Sequence, residues 1–324
     1  MIVAYCPTAH GLERLEISVG GHLPATSVWI DMISPTHEER LAAESFMSAE
    51  IPTREEVSSI ETSARLYSEP GAVVMTALLP MAARTPDPQL SSVTFILSSK
   101  CLVTVRYGDP QSIILCGRKV QTDTSIAHTG PAVFLTLMEI IIDRAADVME
   151  EASFHYDTLS MHVFEDGISA RSGNLYQGAI KTQGRIGLQV ARMHDVCTSL
   201  SRLLLFLENH KKQVSLTEED VLACKSYGRD IHSIKEHGDG LDNKLSFLLD
   251  ATIGLVNLEQ NQIIKVFSVL SVIFLPPTLI ASIYGMNFIN MPELKWHLGF
   301  VFSVCIMLAS VGFTYLFLRW RRLL

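Results

Sequence analysis

Two long apolar stretches close the chain, and they predict its most distinctive elements. No Asp, Glu, Lys or Arg lies within residues 266–284 or within residues 298–318. Each stretch is close to the ~20 residues that a helix needs to cross a bilayer core. The pattern therefore predicts two transmembrane helices. A short outer loop at 285–297 joins them, and the second helix with a basic tail occupies 298–324.

The first part of the chain, residues 1–131, alternates short β-rich runs with polar connections marked by Pro and Gly. The predicted strands are residues 2–6, 27–31, 72–79, 92–97 and 102–107. A helix start is predicted with Ser34 as N-cap and Pro35 at the first helical position, followed by Glu38 and Glu39 at the positive end of the helix dipole. This block is predicted to be a cytoplasmic α/β domain.

The next block, residues 132–240, has apolar positions at helical spacing and a charged opposite face. It predicts a pair of long antiparallel helices that ends at the breaker Gly238-Asp239-Gly240. Helical spacing resumes over 241–284 with no proline before Pro276. A helix over this range is roughly 65 Å long, which predicts a stalk that continues into the first transmembrane helix.

Charge is divided unevenly between the two parts of the chain. Residues 1–262 hold 21 basic and 33 acidic residues, a balance of −12, whereas residues 263–324 hold five basic and one acidic, a balance of +4. An acidic body argues against nucleic acid and for cations as partners, although ordinary solubility explains the same acidity. Because Lys265, Arg319, Arg321 and Arg322 flank the spans, both termini are predicted to be cytoplasmic, in a multi-pass protein of the bilayer.

The N-terminus and the cysteines exclude two other arrangements. The first residues lack a basic region and a long apolar core, so the first span is predicted to act as the insertion signal. The six cysteines are scattered without a C-x-x-C pair. This pattern indicates neither a disulfide framework nor a zinc knuckle.

One face of the first span carries polar residues at helical spacing. Together with neighbouring apolar positions it forms the stripe Asn261, Ile264, Ser268, Ser271, Leu275, Thr278 and Ser282. Single hydroxyls in membrane helices commonly bond to their own carbonyls or ease helix packing. Four hydroxyls on one stripe favour a lumen. Because one helix cannot enclose a lumen, several copies are predicted to assemble around an axis.

Three motifs near the C-terminus occur in order between and within the spans. They are Leu275-Pro276-Pro277-Thr278, Tyr284-Gly285-Met286-Asn287-Phe288 and Met291-Pro292-Glu293-Leu294-Lys295-Trp296. Together they resemble the CorA family of magnesium transporters, and residues 249–251 and 257–261 extend the resemblance. It implies a funnel-shaped homopentamer in the inner membrane, with the long first-span helix lining the pore and the second span outside it.

The resemblance also implies roles for individual residues. Gly285, Met286 and Asn287 form the selectivity filter, where a ring of amide oxygens holds hydrated Mg²⁺ through its waters. Glu293 in the outer loop adds a negative field near the mouth. Leu275 is the apolar constriction, which closes a pore by excluding water. The remaining implied positions are Asn261 as the cytoplasmic polar ring, Thr278 as a hydroxyl along the path, and either Phe267 or Ser268 as the next inward-facing residue.

Regulation is expected to involve the same ion. Asp230, within Arg229-Asp230-Ile231, resembles the stalk-side part of the family's regulatory metal site, while its partner acid is not located by sequence. Mg²⁺ is thus implied as transported and regulatory ion, with Co²⁺ and Ni²⁺ as further cargo and no organic cofactor. No Gly precedes a Lys, so there is no P-loop, and uptake driven by the membrane potential is predicted.

Two alternatives remain at this point. A zinc transporter of the same superfamily is suggested by His155 and His162, which are seven residues apart on one helix face. A membrane-tethered enzyme or sensor is the other. The chain shows no Ser-His-Asp signature, no G-x-S-x-G and no G-x-G-x-x-G. We therefore predict that the protein is not an enzyme.

Overall fold

The computed structural model describes residues 1–321 except for 10, 19, 59–64, 82–88, 124–125, 127–128, 166–171 and 287–296. The chain divides into two units, Met1–Leu249 and Asp250–Leu324.

The first unit is built on one mixed sheet of seven strands. They are β1 (Ile2–Thr8), β2 (Gly11–Ile17), β3 (Trp29–Ile33), β4 (Leu66–Glu69), β5 (Ala72–Pro80), β6 (Leu90–Ser98) and β7 (Leu102–Arg106), in the spatial order β2-β1-β3-β7-β6-β5-β4. Only the central pair β3 and β7 is parallel, and the other pairs are antiparallel. All five predicted strands are present. The sequence prediction missed β2 and β4, the two edge strands, because their half-exposed polar positions weaken the β pattern.

Seven helices complete the described chain. They are α1 (His37–Met47), α2 (Arg54–Ser58), α3 (Gln111–Thr122), α4 (Gly130–Glu165), α5 (Ser172–Asn209), α6 (Glu218–Tyr284) and α7 (Gly299–Trp320). Helix α4 packs on β6 and β7 and also on α5, and α5 packs on β5. Helix α3 lies between β2 and α4. The predicted combination of an α/β domain, long helices and two C-terminal apolar helices is confirmed.

The sheet is buried on both faces because its strands carry apolar side chains on both sides. On one face Ile30, Met32 and Val103 pack with Ala43 and Met47 of α1. On the other face the rings of Phe95 and Phe134 meet edge to face with centroids 5.8 Å apart. The stacked pair Tyr5 and Trp29, with centroids 4.3 Å apart, continues this second layer under α3.

A polar network crosses the centre of the sheet where β3 and β7 run in parallel. Arg106 donates from Nε and Nη2 to the Asp31 carboxylate, with an Nη2–Oδ2 distance of 2.9 Å, and both side chains are 5% exposed. Thr104 donates its hydroxyl to Asp31 Oδ1 at 2.7 Å and accepts the indole N–H of Trp29 at 3.1 Å. The buried charges are therefore paired and hydrogen-bonded, as burial requires.

The first helix begins later than the sequence predicted. Thr36, not Ser34, is the N-cap, so Pro35 is not a helical residue and the prediction was wrong. The Thr36 hydroxyl accepts from the Glu39 N–H, and the Glu39 carboxylate accepts from the Thr36 N–H at 2.9 Å. This capping box satisfies two backbone donors, whereas Ser34 has a positive φ of 44° in the turn before it.

The long stalk helix also begins earlier than predicted. It starts at Glu218, where Thr217 and Asp220 exchange backbone–side-chain hydrogen bonds as a cap, and not at residue 241. Gly238 does not break it. A Cβ on Gly238 would lie 3.0 Å from His194 Nε2 and 3.1 Å from Met149 Cε, so the glycine permits close packing on α4 and α5.

The second unit holds the C-terminal part of α6 together with α7. Both helices are long and apolar enough to cross a membrane by length and composition. They cover the two predicted spans, and the residues predicted as the outer loop lie largely outside the described part of the chain.

Candidate functional site

The predicted stripe lies entirely on α6, and every member of it is exposed. The residues are Asn261, Ile264, Ser268, Ser271, Leu275, Thr278 and Ser282. Because successive helical residues turn by 100°, the seven positions fall within about 100° of one another around the helix. The sequence therefore places a mixed polar and apolar stripe on one continuous face of the first span.

The opposite face of the same helix is the one that this unit covers. Val269, Ile273, Pro276, Ile280 and Tyr284 are partly buried, and helical geometry centres them roughly 160° away from the stripe. Helix α7 also has one covered face, formed by Gly299, Ser303, Thr314 and Leu318. Within the second unit most side chains of this part of α6 are exposed, including Phe267, Leu270 and Phe274, so the stripe differs from its surroundings by its polar groups, and the face behind it is only partly buried.

Two stripe hydroxyls bond back to their own helix. Ser271 Oγ donates to the Phe267 carbonyl at 2.8 Å, and Thr278 Oγ1 donates to the Phe274 carbonyl at 2.7 Å. These are the local bonds that hydroxyls in membrane helices commonly make. A hydroxyl that donates still keeps its oxygen lone pairs. Both oxygens therefore remain acceptors for the water hydrogens that a hydrated cation presents outward.

Pro276 and Pro277 lie inside α6, next to the predicted constriction at Leu275. A proline has no N–H, so these two residues cannot bond to the carbonyls of Val272 and Ile273, four residues earlier. The two carbonyl oxygens lose their usual helical donors inside an apolar span. This feature was not predicted, although the Pro-Pro pair signals it in the sequence.

Helix α6 ends at the first residues of the predicted filter. The Gly285 N–H donates to the Ala281 carbonyl at 2.9 Å, and the Met286 N–H donates to the Ile283 carbonyl at 3.3 Å. A Cβ on Gly285 would approach the Ala281 oxygen to 3.1 Å, which is tighter than an ordinary contact. Asn287 and Glu293 lie outside the described residues.

Asp230, predicted as a regulatory metal ligand, is exposed on α6 in the first unit. Burial, then repulsion from Glu139, Asp147 and Asp230, raises the pKa of Asp143 on α4, and Lys119 partly offsets this. Asp230 makes the smallest of these repulsive contributions, so its carboxylate lies within electrostatic reach of the acidic row Glu139, Asp143 and Asp147 on α4. The sequence showed the row as i, i+4, i+8 spacing, but only packing brings Asp230 to it.

Among the described residues, no group of three or more His, Cys, Asp or Glu side chains is arranged to hold a metal ion. His155 and His162, which suggested zinc, both lie on α4 and belong to no such group within that part of the chain. The five cysteines of the first unit, Cys6, Cys101, Cys116, Cys197 and Cys224, are free and buried. Burial raises the pKa of the Cys197 and Cys224 thiols to about 11, so they stay protonated.

Comparison with known proteins agrees with these features. The family model described as CorA-like Mg²⁺ transporter protein matches residues 24–321. The magnesium transport protein CorA of Yersinia pseudotuberculosis is 31% identical over 323 residues, which cover 98% of each chain. The protein of the same name from Escherichia coli strain K12 is 30% identical over 319 residues, again with 98% of each chain covered.

Solved structures share the fold. The complete CorA magnesium transporter from Methanocaldococcus jannaschii superposes with a TM-score of 0.73 at 16% identity, over 98% of this chain and 97% of that one. The cytoplasmic domain of ZntB from Vibrio parahaemolyticus gives a TM-score of 0.58 at 8% identity, over 79% of this chain and 97% of that one. At such identities the likeness concerns the fold alone. The sequence relatives and the family model are what identify the chain, which belongs to the CorA-like Mg²⁺ transporter family.

Proposed function

We propose that this chain forms a homopentameric, funnel-shaped channel that admits Mg²⁺ across the inner membrane. The observation that carries the proposal is the row of exposed polar side chains on one face of α6, opposite the partly buried apolar face of the same helix. Exposure of several polar side chains to lipid is unfavourable, so these residues need a wet surface inside an assembly. Five copies arranged around an axis supply such a water-filled surface, with α6 lining it and α7 packed outside.

The outer mouth is formed by Gly285, Met286 and Asn287. Mg²⁺ gives up its waters reluctantly, so neutral amide oxygens that bind those waters select the hydrated ion without holding it too tightly. Glu293 raises the local cation concentration at the mouth. Both termini are cytoplasmic, and the loop between the spans faces outward, as the flanking basic residues favour.

Behind the mouth the path narrows. A ring of Leu275 side chains excludes water and closes the pore, with Thr278 on its outer side and Asn261 at the cytoplasmic end. Helical geometry puts Ser268 inside the stripe and Phe267 at its edge, so Ser268 is the better candidate for the next inward position. The Val272 carbonyl, which Pro276 leaves without its helical donor, adds a backbone acceptor near the constriction.

Cytoplasmic Mg²⁺ regulates the channel through Asp230. The support is the repulsion from Asp230 that contributes to the raised pKa of Asp143, together with the −12 balance of residues 1–262, both of which a bound divalent cation relieves. Bound Mg²⁺ then stabilises the closed funnel, and the release of Mg²⁺ opens the funnel. Co²⁺ and Ni²⁺ follow the same path, and no organic cofactor takes part.

Uptake needs no chemical energy source. A single charge gains ~2.3 kcal/mol per 100 mV on crossing a membrane, so a divalent cation gains roughly twice that. The direct test is Mg²⁺ entry into proteoliposomes that contain a trapped Mg²⁺ dye, under an imposed K⁺ diffusion potential. Entry is expected to rise steeply with internal negative potential.

A paired substitution tests the filter in the same assay. Asn287→Ala is expected to abolish Mg²⁺ entry while the oligomer remains assembled on size-exclusion chromatography. Asn290→Ala, the same change in the same loop, is expected to retain entry. If the Asn287→Ala variant admitted Mg²⁺ at the wild-type rate, the role of Asn287 in the filter would be disproved. Faster entry of Zn²⁺ than of Mg²⁺ in the wild type would instead favour the zinc alternative.

A further inference from the structure

A pocket of about 290 Å³ opens in the first unit, between strands β1–β3 and helix α3. Four charged side chains line it, namely Arg14, Arg106, Arg118 and Asp31. The volume is at the lower end of the range for small-molecule sites. Three guanidinium groups against one carboxylate make the pocket basic, although residues 1–262 as a whole carry a balance of −12.

The carboxylate in this pocket is already satisfied. Asp31 accepts one bifurcated hydrogen bond from Arg106 Nε, one from Arg106 Nη2 and one from the Thr104 hydroxyl. Arg106 is likewise occupied, since its Nη1 donates to the Gly108 carbonyl and to Asp109. This buried pair therefore forms a neutral floor, and the positive charge of the pocket comes from Arg14 and Arg118.

Of these two arginines, Arg14 interacts with the Tyr5 hydroxyl and with Glu16, whereas Arg118 is exposed. Arg14 pairs with Glu16 at 2.8 Å, but the two side chains are 41% and 61% exposed, and pairs of this kind contribute little. Arg118 is exposed on α3, and it makes no ion pair within the part of the chain that the structure describes. Planar guanidinium groups bind phosphate oxygens in pairs, which favours a phosphate over a single carboxylate.

Neutral groups complete the lining. Burial, then the nearby charge of Asp31, raises the pKa of Tyr5 to about 12, so its hydroxyl stays protonated. A Cβ on Gly117 would lie only 2.6 Å from Tyr5 Oη, so this glycine lets α3 approach the phenol. Ile113 and Ile114 add an apolar wall. Such a wall suits the carbon skeleton of an organic ligand better than it suits a bare inorganic ion.

We propose that this pocket binds a small organic phosphate monoester, with the phosphate held by Arg14 and Arg118 and the organic part against Ile113 and Ile114. The site lies within the first unit and does not depend on ion conduction. A failure of Mg²⁺ entry therefore leaves it standing, and a failure of phosphate binding leaves the channel proposal standing.

The test is isothermal titration calorimetry on the purified full-length protein, with glucose 6-phosphate as the probe and glucose as the uncharged control. Saturable binding of glucose 6-phosphate and none of glucose is expected. Arg118→Gln is expected to weaken binding by about tenfold or more, because it removes charge-assisted hydrogen bonds. Arg185→Gln, the same change at an exposed arginine of α5, is expected to leave binding unchanged.

A second pair of variants tests the site without touching an arginine. Ile114→Glu places a negative charge in the pocket and is expected to abolish binding. Leu115→Glu makes the same change at the next exposed position, which does not line the pocket, and should retain binding. The proposal is overturned by an absence of saturable binding in the wild type. It is equally overturned if Arg118→Gln and Ile114→Glu both bind as the wild type does.

Discussion

Removal of the buried guanidinium at the centre of the sheet is expected to destabilise the first unit strongly. Arg106→Met keeps the apolar stem but leaves Asp31, which is 5% exposed, with Thr104 as its remaining side-chain donor. Breaking one partner of a buried pair costs about 3–5 kcal/mol. For a unit of about 250 residues, roughly 2–4 °C per kcal/mol then predicts a fall in apparent Tm of roughly 6–20 °C.

Tryptophan fluorescence during thermal unfolding of the full-length protein measures this fall. Trp29 is fully buried and donates to Thr104, so it reports on the same network. Lys119→Met is the matched control, because its pair with Glu139 is 41% and 47% exposed and is worth at most about 1 kcal/mol. At one scan rate, that variant should lose only a few degrees, roughly 2–4 °C.

A double variant separates the ion pair from packing. Arg106→Met combined with Asp31→Leu replaces both charges by apolar groups, and it is expected to recover most of the lost Tm. Two results would refute the reasoning. One is a single Arg106→Met variant that unfolds within 2–4 °C of the wild type, like Lys119→Met. The other is a double variant that unfolds well below the single one, because packing and not the orphaned charge would then control stability.

Four further predictions follow from the proposed function and the acidic row. Leu275→Asp should wet the constriction and let Mg²⁺ leak into proteoliposomes at high cytoplasmic Mg²⁺; full closure would place the gate elsewhere. Thr278→Val should slow Mg²⁺ entry, whereas Thr314→Val, which removes the same type of i−4 hydroxyl bond from α7, should not. Equal rates of Mg²⁺ entry for the two variants would show that the stripe does not line the ion path. Excess Mg²⁺ should slow proteolysis of the first unit relative to chelator, and Asp230→Asn should shrink that difference; equal cleavage with and without Mg²⁺ contradicts regulation by the ion. Because burial and then repulsion raise the pKa of Asp143, its charged form destabilises the fold at neutral pH, and protonation on acidification removes this destabilisation. Asp143→Asn should therefore raise the apparent Tm at neutral pH, and this gain in Tm should shrink as the pH falls towards the ordinary aspartate pKa of about 3.9. A gain in Tm that does not depend on pH would refute this prediction.

Local patterns predicted most elements correctly. The two apolar spans, the five central strands and the long helices each follow from a run of residues whose own spacing is decisive. The motif around Gly285, Met286 and Asn287 was likewise sufficient to suggest the family, because several specific segments occur in order. The edge strands β2 and β4 were missed because one-sided pairing gives them no continuous apolar signal.

Errors arose where a local signal competed with packing. Ser34-Pro35 has the residue types of a helix start, but the reciprocal bonds of Thr36 and Glu39 satisfy two backbone donors and fix the start two residues later. Gly238 looked like a breaker, yet its missing side chain is what lets α6 pass close to His194. In both cases the outcome depends on contacts that propensity does not encode.

The sequence by itself determined that this protein has an acidic α/β body and two C-terminal spans with a polar stripe on the first. Hydrophobic periodicity and charge depend only on neighbours in the chain, so they can be read without coordinates. Only the tertiary structure decided that the stripe is opposite the partly buried face, that Asp230 lies within electrostatic reach of Asp143, and that Arg14 and Arg118 line one pocket. These relations join residues far apart in sequence, and they exist only once helices and strands have packed their apolar faces together.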